Sequence, residues 1–292
     1  YETLRESVRG QPPAWYASHI PAPQDVASII YTSGTTGKPK GAMLTHLNFC
    51  SDALGSLDAI SDIVTSKDDF FVVLPLFHAF SFTANFVVPL VKGCGMYFVE
   101  SLRTIGDDIK TLRPSVFIAV PLLAETLFDK IDDKLKRSVV ARCLVKVGLG
   151  RLVGKKVLRS LGGRLRFLIV GGAPCPLHVL EGFSRLGVPI VEGYGLTECS
   201  PVVSITNTRQ ARIGTIGKKL PNIEIRLADA DEMGVGELQV RGPIVMKGYL
   251  KNIAATREAF DGEWLRTGDL ASIDADGFLT IRGRKKALIV NR

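Results

Sequence analysis

The stretch LRFLIVGGAPCPLHVLEGFSRLGVPIVE, Leu165 to Glu192, decides the fold class. Residues 165–170 are an apolar run of strand length. Gly171-Gly172-Ala173-Pro174 then interrupts it, and Pro174 stands near the start of the next helix. Residues 176–186 place apolar side chains at helical spacing, and residues 188–192 read as a strand again. Strand, helix and strand joined by short turns form a unit whose two strands run parallel.

The same alternation continues toward the N-terminus. Residues 26–31, 70–74, 95–99 and 116–120 are further strand candidates, and helical patterns cover 47–60, 104–112 and 121–131. The expected fold is α/β, with a mostly parallel sheet flanked by helices over residues 25–205. Ligands of such sheets bind at the carboxyl ends of the strands. Beyond residue 205 the pattern changes to short strands, 223–227, 236–241, 270–273 and 278–282, separated by Gly, Asp, Asn and Pro. Asp276-Gly277 is a hairpin signal. Residues 206–282 are therefore expected to form a small antiparallel β subdomain. Residues 1–24 read as a short helix and a Pro-rich linker, and 283–292 as a basic turn followed by an apolar run. No internal repeat is present.

Net charge is +8 over 292 residues, with an isoelectric point near 9.3. That favours anionic partners such as nucleotides, coenzyme A or an acidic membrane. No RNA-binding or zinc-finger pattern accompanies the charge, so nucleic acid is not an expected partner. Five cysteines without a CxxC pair, and no signal peptide or N-glycosylation acceptor, fit a reducing, cytoplasmic setting. Residues 70–91 contain no charged side chain and are long enough to span a bilayer. Pro75, His78, Ser81, Asn85 and Pro89 fit a buried strand, a loop and a buried helix better. Residues 134–164 are basic and Gly-punctuated, suiting either a solvated connector or an amphipathic helix pair in peripheral contact with a membrane or protein.

Candidate site residues cluster after the strands. YTSGTTGKPKG, Tyr31 to Gly41, follows the apolar run 26–30, which reads as a buried strand. Thr32, Ser33, Thr35 and Thr36 supply hydroxyls, and Gly34 and Gly37 let the backbone approach an anion closely. Lys38 and Lys40 add positive charge. The spacing is not that of a Walker loop, and a plain surface loop between strand and helix is the other reading. Glu192-Gly193-Tyr194-Gly195-Leu196-Thr197-Glu198 offers an aromatic face, a hydroxyl and one carboxylate for Mg²⁺ beside phosphate. Gly171, Gly172, Ala173 and Pro174 would let a flat base approach the backbone, or simply form a tight strand-to-helix turn. In WLRTGDL, Trp264 to Leu270, Asp269 is able to accept from vicinal hydroxyls, although a turn role is ordinary for Gly-Asp. His78 is the titrating group of the apolar stretch, either a satisfied core histidine or a substrate-facing one. The four histidines show no zinc-ligand spacing, and no HxxxD, GxSxG or HExxH pattern points to a hydrolase.

Together these motifs resemble the acyl-adenylate-forming superfamily: acyl-CoA synthetases, luciferases and peptide-synthetase adenylation domains. YTSGTTGKPKG is similar to its phosphate loop, and YGLTE, Tyr194 to Glu198, to its YGxTE motif. The resemblance implies adenine stacking on Tyr194 against Gly171–Pro174, with Glu192, Gly193 and Gly195 at the nucleotide. It gives the α-phosphate to Thr197 and the metal to Glu198. Asp269 and Arg284 would hold ribose, and Ile281 joins the nucleotide contacts. His78 would lie near the acyl carboxylate, and Lys286 would be a hinge, with Ala287 where an acidic residue is usual.

LGGRLRF followed by GGAP, together with GYGLTECSP, looks most like long-chain fatty acyl-CoA synthetases. That implies ATP, Mg²⁺, coenzyme A and a medium- or long-chain fatty acid, with an apolar tunnel near residues 70–91. Loading of a carrier protein, and a non-catalytic nucleotide-binding or membrane-associated module, are the alternatives. No oligomeric state is implied. Family members also carry residues before the phosphate loop and a mobile C-terminal domain on the order of 100 residues. The expectation is thus a core truncated at both ends, weakly active or inactive.

Overall fold

The structure is a computed structural model and describes residues 20–32, 38–207 and 211–285. Its first two strands, β1 (Val26–Thr32) and β2 (Lys40–Thr45), pair antiparallel with Thr32 opposite Lys40. This corrects two expectations. The run at 26–30 is not a buried strand, because Val26, Ile29 and Tyr31 are all exposed. The segment after Thr32 joins strand to strand, not strand to helix. Seven intervening residues are too few for a parallel crossover, so the chain turns back on itself.

β3 (Asp69–Val72), β4 (Gly95–Phe98), β5 (Val116–Ala119), β6 (Phe167–Gly171), β7 (Ile190–Gly195), β8 (Val202–Ile205) and β9 (Lys218–Lys219) form a sheet in the order β4-β3-β5-β6-β7-β8-β9. The first five are parallel, as the apolar runs predict, and β8 and β9 are antiparallel additions. Side chains alternate across the pleat. Phe70, Ile118 and Ile169 join Phe49, Ala53 and Leu57 of the helix His46–Ala59. Phe71, Phe117, Leu168 and Val170 join Val179 and Phe183 of the helix Leu177–Arg185 on the other face. A parallel sheet covered on both faces accounts for β5 and β6 being buried throughout.

Residues after β3 fold as the short helix Ala79–Ser81, a π-helical turn Phe82–Val87 and the helix Val88–Lys92. Among the described residues no helix is long and apolar enough to cross a membrane. The basic stretch contains two helices, Val139–Lys146 and Gly150–Ser160.

Beyond it, β10 (Glu224–Ala228), β11 (Gly236–Arg241), β13 (Phe260–Asp261), β14 (Trp264–Ile273) and β15 (Leu279–Arg284) form an antiparallel sheet. The intervening β12 (Gly248–Tyr249) pairs instead with β2. The turn between β14 and β15 contains Asp276-Gly277, with Gly277 at φ +84°. β14 begins six residues before the expected strand at 270–273, because a bulge lets it continue through the polar Thr267-Gly268-Asp269.

The helix His46–Ala59 is tied to the sheet by a buried polar contact. Val202 N–H donates to Asp52 Oδ2 at 2.7 Å. Burial pushes the Asp52 carboxyl well above its ordinary range.

Candidate active site

The carboxyl ends of β6 and β7 form one side of a cavity of about 890 Å³. Close backbone approach dictates the glycines here. A Cβ on Gly171 would lie 2.9 Å from Cζ of Phe80 and 3.0 Å from the Gly193 carbonyl. A Cβ on Gly195 would collide with the Pro201 carbonyl. Gly172 sits at φ +85°, where glycine carries no steric penalty. Gly172, Gly193, Tyr194 and Gly195 line the cavity, whereas Ala173 and Pro174 lie in the following turn outside its lining.

The opposite side is built by β14 and β15. Gln239 and Glu237 of β11 face Arg266 and Leu270 of β14, so β14 carries two extra residues between these pairs. Gly268 takes φ +74° within the bulge, and Thr267 Oγ1 accepts from Asp269 N–H at 3.1 Å. The bulge turns Asp269 toward Tyr194, whose hydroxyl donates to Asp269 Oδ2 at 2.6 Å. Arg284 Nε reaches the other oxygen at 2.9 Å. Asp269 is buried and Arg284 largely exposed. Burial, followed by the Asp269 charge, raises the Tyr194 hydroxyl well above its ordinary range, keeping it a proton donor. Each Asp269 oxygen thus has one partner and retains acceptor capacity. The ordinary turn role for Gly-Asp does not hold.

Thr197 and Glu198 occupy a single 3₁₀ turn, Thr197–Cys199, at the third side. Tyr249 donates its hydroxyl to Glu198 Oε1 at 2.8 Å. Lys40 Nζ lies 5.2 Å from the centre of the Tyr249 ring. Pairing of β12 with β2 produces this arrangement, bringing Tyr249 opposite Ala42. Burial and the Glu198 charge hold the Tyr249 phenol far above its ordinary range. Among the described residues no group of three or more His, Cys, Asp or Glu side chains is placed to hold a metal. Glu198 Oε2 has no hydrogen-bond partner among the described residues, and one such oxygen suits Mg²⁺ held mainly by substrate phosphates, so the donor set fits that ion.

Glu192 stands half-buried in the middle of β7, outside the cavity lining, and burial raises its carboxyl to about 7. Burial, then Glu192, pushes the nearby Cys175 thiol up to about 11, so it is a poor nucleophile at neutral pH. His78 is exposed at the cavity mouth beside Phe77, which rules out the core-histidine reading. Ile281 does not line the cavity. Half-buried, it packs against the cluster of Leu238, Ala271 and Leu279, because it faces the same side of β15 as Leu279. Thr32 and Lys40 line the cavity, and Lys38 is exposed outside its lining. Ser33, Gly34, Thr35, Thr36, Gly37 and Lys286 lie outside the described residues.

Tyr249 is the principal lining residue that the sequence reading omits, together with Glu237 and Lys285, paired at 2.8 Å. The signal for Tyr249 was an aromatic in a short Gly-Tyr segment, which gains meaning only through its long-range contact with Glu198.

The match to known proteins agrees with this geometry. Residues 2–250 match the model of the AMP-binding enzymes. The chain belongs to that family. A long-chain-fatty-acid–CoA ligase 6 from Mus musculus is 38% identical over 91% of this chain and 42% of its own length. A putative fatty-acid–CoA ligase of Mycobacterium tuberculosis is 35% identical over 92% of this chain and 51% of its own. The chain thus spans about half the length of these relatives. Among solved structures, an O-succinylbenzoate coenzyme A synthetase from Bacillus subtilis, in complex with ATP and a magnesium ion, aligns with a TM-score of 0.74. It is 26% identical, over 91% of this chain and 51% of that one. The expected α/β architecture and the resemblance to long-chain fatty acyl-CoA synthetases are borne out.

Proposed function

We propose that this chain supplies the nucleotide- and acyl-binding core of an AMP-forming fatty acid–CoA ligase. The observation that carries the reading is convergence. Thr32 and Lys40, Thr197 and Glu198, and Tyr194 and Arg284 come from separate sheets and edges to one cavity, the last two bridged by Asp269, which itself lies outside the lining. Residues 25–205 provide the phosphate- and base-facing sides, and 206–282, with Arg284 just beyond, the sugar-facing side.

In this reading a fatty acid carboxylate oxygen attacks the α-phosphorus of ATP, forming acyl-adenylate and releasing pyrophosphate. The thiol of coenzyme A then attacks the carbonyl and AMP leaves. The protein contributes positioning and charge stabilisation. Tyr194 stacks on adenine with its hydroxyl fixed by Asp269, while Asp269 and Arg284 take the ribose diol. Thr197 donates to the α-phosphate, and Lys40 with the loop 33–38 neutralises the departing phosphates. Glu198, oriented by Tyr249, would hold Mg²⁺, which when bound offsets phosphate charge. His78, Phe77 and Phe80 face the acyl end.

The fatty-acid specificity and the coenzyme A acceptor rest on the activities of the relatives. Five unpaired cysteines support a reducing, cytoplasmic location. Pyrophosphate release by the intact protein, measured over aliphatic, aryl and amino acids, tests the substrate. Preference for medium or long aliphatic acids is expected, and strict preference for aryl or amino acids overturns it. Loss of release in Glu198→Gln is expected alongside.

A further inference from the structure

The chain's positive charge is concentrated in one stretch. Residues 134–164 contain ten Lys or Arg and no Asp or Glu. That exceeds the +8 of the whole chain, so the remainder is net acidic. Arg142, Lys146, Lys155, Lys156 and Arg159 are exposed, and none is ion-paired among the described residues.

The same surface exposes apolar side chains. The helix Val139–Lys146 has no buried residue. Val139 and Val140 are exposed, as are Val147, Leu149 and Leu152 just beyond, with Val140 at 71% and Val147 at 68%. At 100° per residue, Val139, Val140, Cys143 and Val147 share one side of the helical path, flanked by Arg142 and Lys146. The next helix, Gly150–Ser160, is held in place by Val153, Gly154 and Val157, which are buried. A side chain on Gly154 would strike the Leu186 carbonyl, so this helix lies flush on the fold and turns Lys155, Lys156 and Arg159 outward. Leu186 belongs to the turn that feeds the N-terminal end of β7, away from the cavity.

We infer that this helix pair is a docking surface for an anionic lipid bilayer. Exposed valines and leucines beside unpaired Lys and Arg match the two contributions to interfacial binding, apolar insertion and attraction to acidic headgroups. A second copy of the chain does not fit, because two such faces repel. A nucleic acid gains nothing from the aliphatic side chains, and the stretch contains no aromatic residue to stack on a base. The inference does not depend on the ligase reading.

The test is flotation of the 292-residue chain with vesicles of phosphatidylcholine alone and with about 30 mol% phosphatidylglycerol, near 0.1 M salt. Binding to the anionic vesicles at least about tenfold tighter than to neutral ones is expected. The double variants Val139→Ser/Val140→Ser and Lys155→Gln/Lys156→Gln should each weaken it by about tenfold, with thermal unfolding and ATP affinity unchanged. Equal binding to both vesicles overturns the inference. So does loss with the lysine pair but not the valine pair, accompanied by equal binding to duplex DNA or an acidic peptide, because this marks a charge-only surface for another polyanion. Variants that unfold are replaced by Val147→Ser and Arg159→Gln, which lie outside the seam between the helices and carry the same expected losses.

Discussion

Glu192 should make the protein less stable as the solution is made more alkaline. Its carboxyl rises from 4.5 to about 7 because its place within β7 buries it. The native state therefore holds a proton that the unfolded chain releases between those values. Stability is lost as pH rises through this window and is level above it. At ~1.4 kcal/mol per pH unit the full effect is about 3 kcal/mol, and partial exposure reduces it to ~1–2 kcal/mol. Glu192→Gln keeps the size and polarity but cannot ionise. Urea unfolding at pH 5 and pH 8 should show the variant gaining about 1 kcal/mol more, relative to the parent, at the higher pH. An equal difference at both values, or a variant relatively weaker at pH 8, refutes the argument that burial governs this carboxyl.

Other substitutions probe the packing and the cavity. Gly195→Ala places a methyl against the Pro201 carbonyl and should cost ~2 kcal/mol or more of stability with loss of nucleotide binding; native-like melting would contradict the close approach. Tyr249→Phe removes the 2.8 Å hydrogen bond to Glu198. It should weaken Mg·ATP binding by about tenfold, for a bond to a charged group of ~1.5–3 kcal/mol. Calorimetry should show little change for ATP with the metal chelated, and equal losses would assign Tyr249 to packing. Asp52→Ala strands the buried Val202 N–H and should cost ~1–3 kcal/mol in urea unfolding, whereas Asp52→Asn should cost less than half as much.

The parallel sheet was legible because both of its faces are covered. β3, β5 and β6 are consequently apolar runs, and the Gly and Pro turns between them are unambiguous. β1 misled because Val26, Ala27, Ile29 and Ile30 form an apolar run like that of a strand buried on both faces, yet its pairing with β2 depends on the short connection after Thr32. Tyr194, Thr197 and Glu198 were readable as one local motif. Asp269 was readable as a candidate in its own motif, but its bond to Tyr194, 75 residues away, was not, and Tyr249, 51 residues from Glu198, was missed. The Asp269 geometry depends on a bulge, and a bulge is specified by register against β11 and not by the residues within it. Ile281 illustrates the converse case. It sits near Arg284 in sequence, but alternation along β15 turns it into the core.

The central claim is that one cavity receives a nucleotide and an acyl chain joined through phosphate. Calorimetric titration with a long-chain alkyl ester of AMP, against AMP itself, tests it directly. The account predicts at least about 100-fold tighter binding of the ester, which three or four buried methylenes at ~0.8 kcal/mol each would supply. Arg284→Gln should weaken both ligands. An ester that binds no more tightly than AMP, or binding of either ligand indifferent to Arg284→Gln, would contradict it.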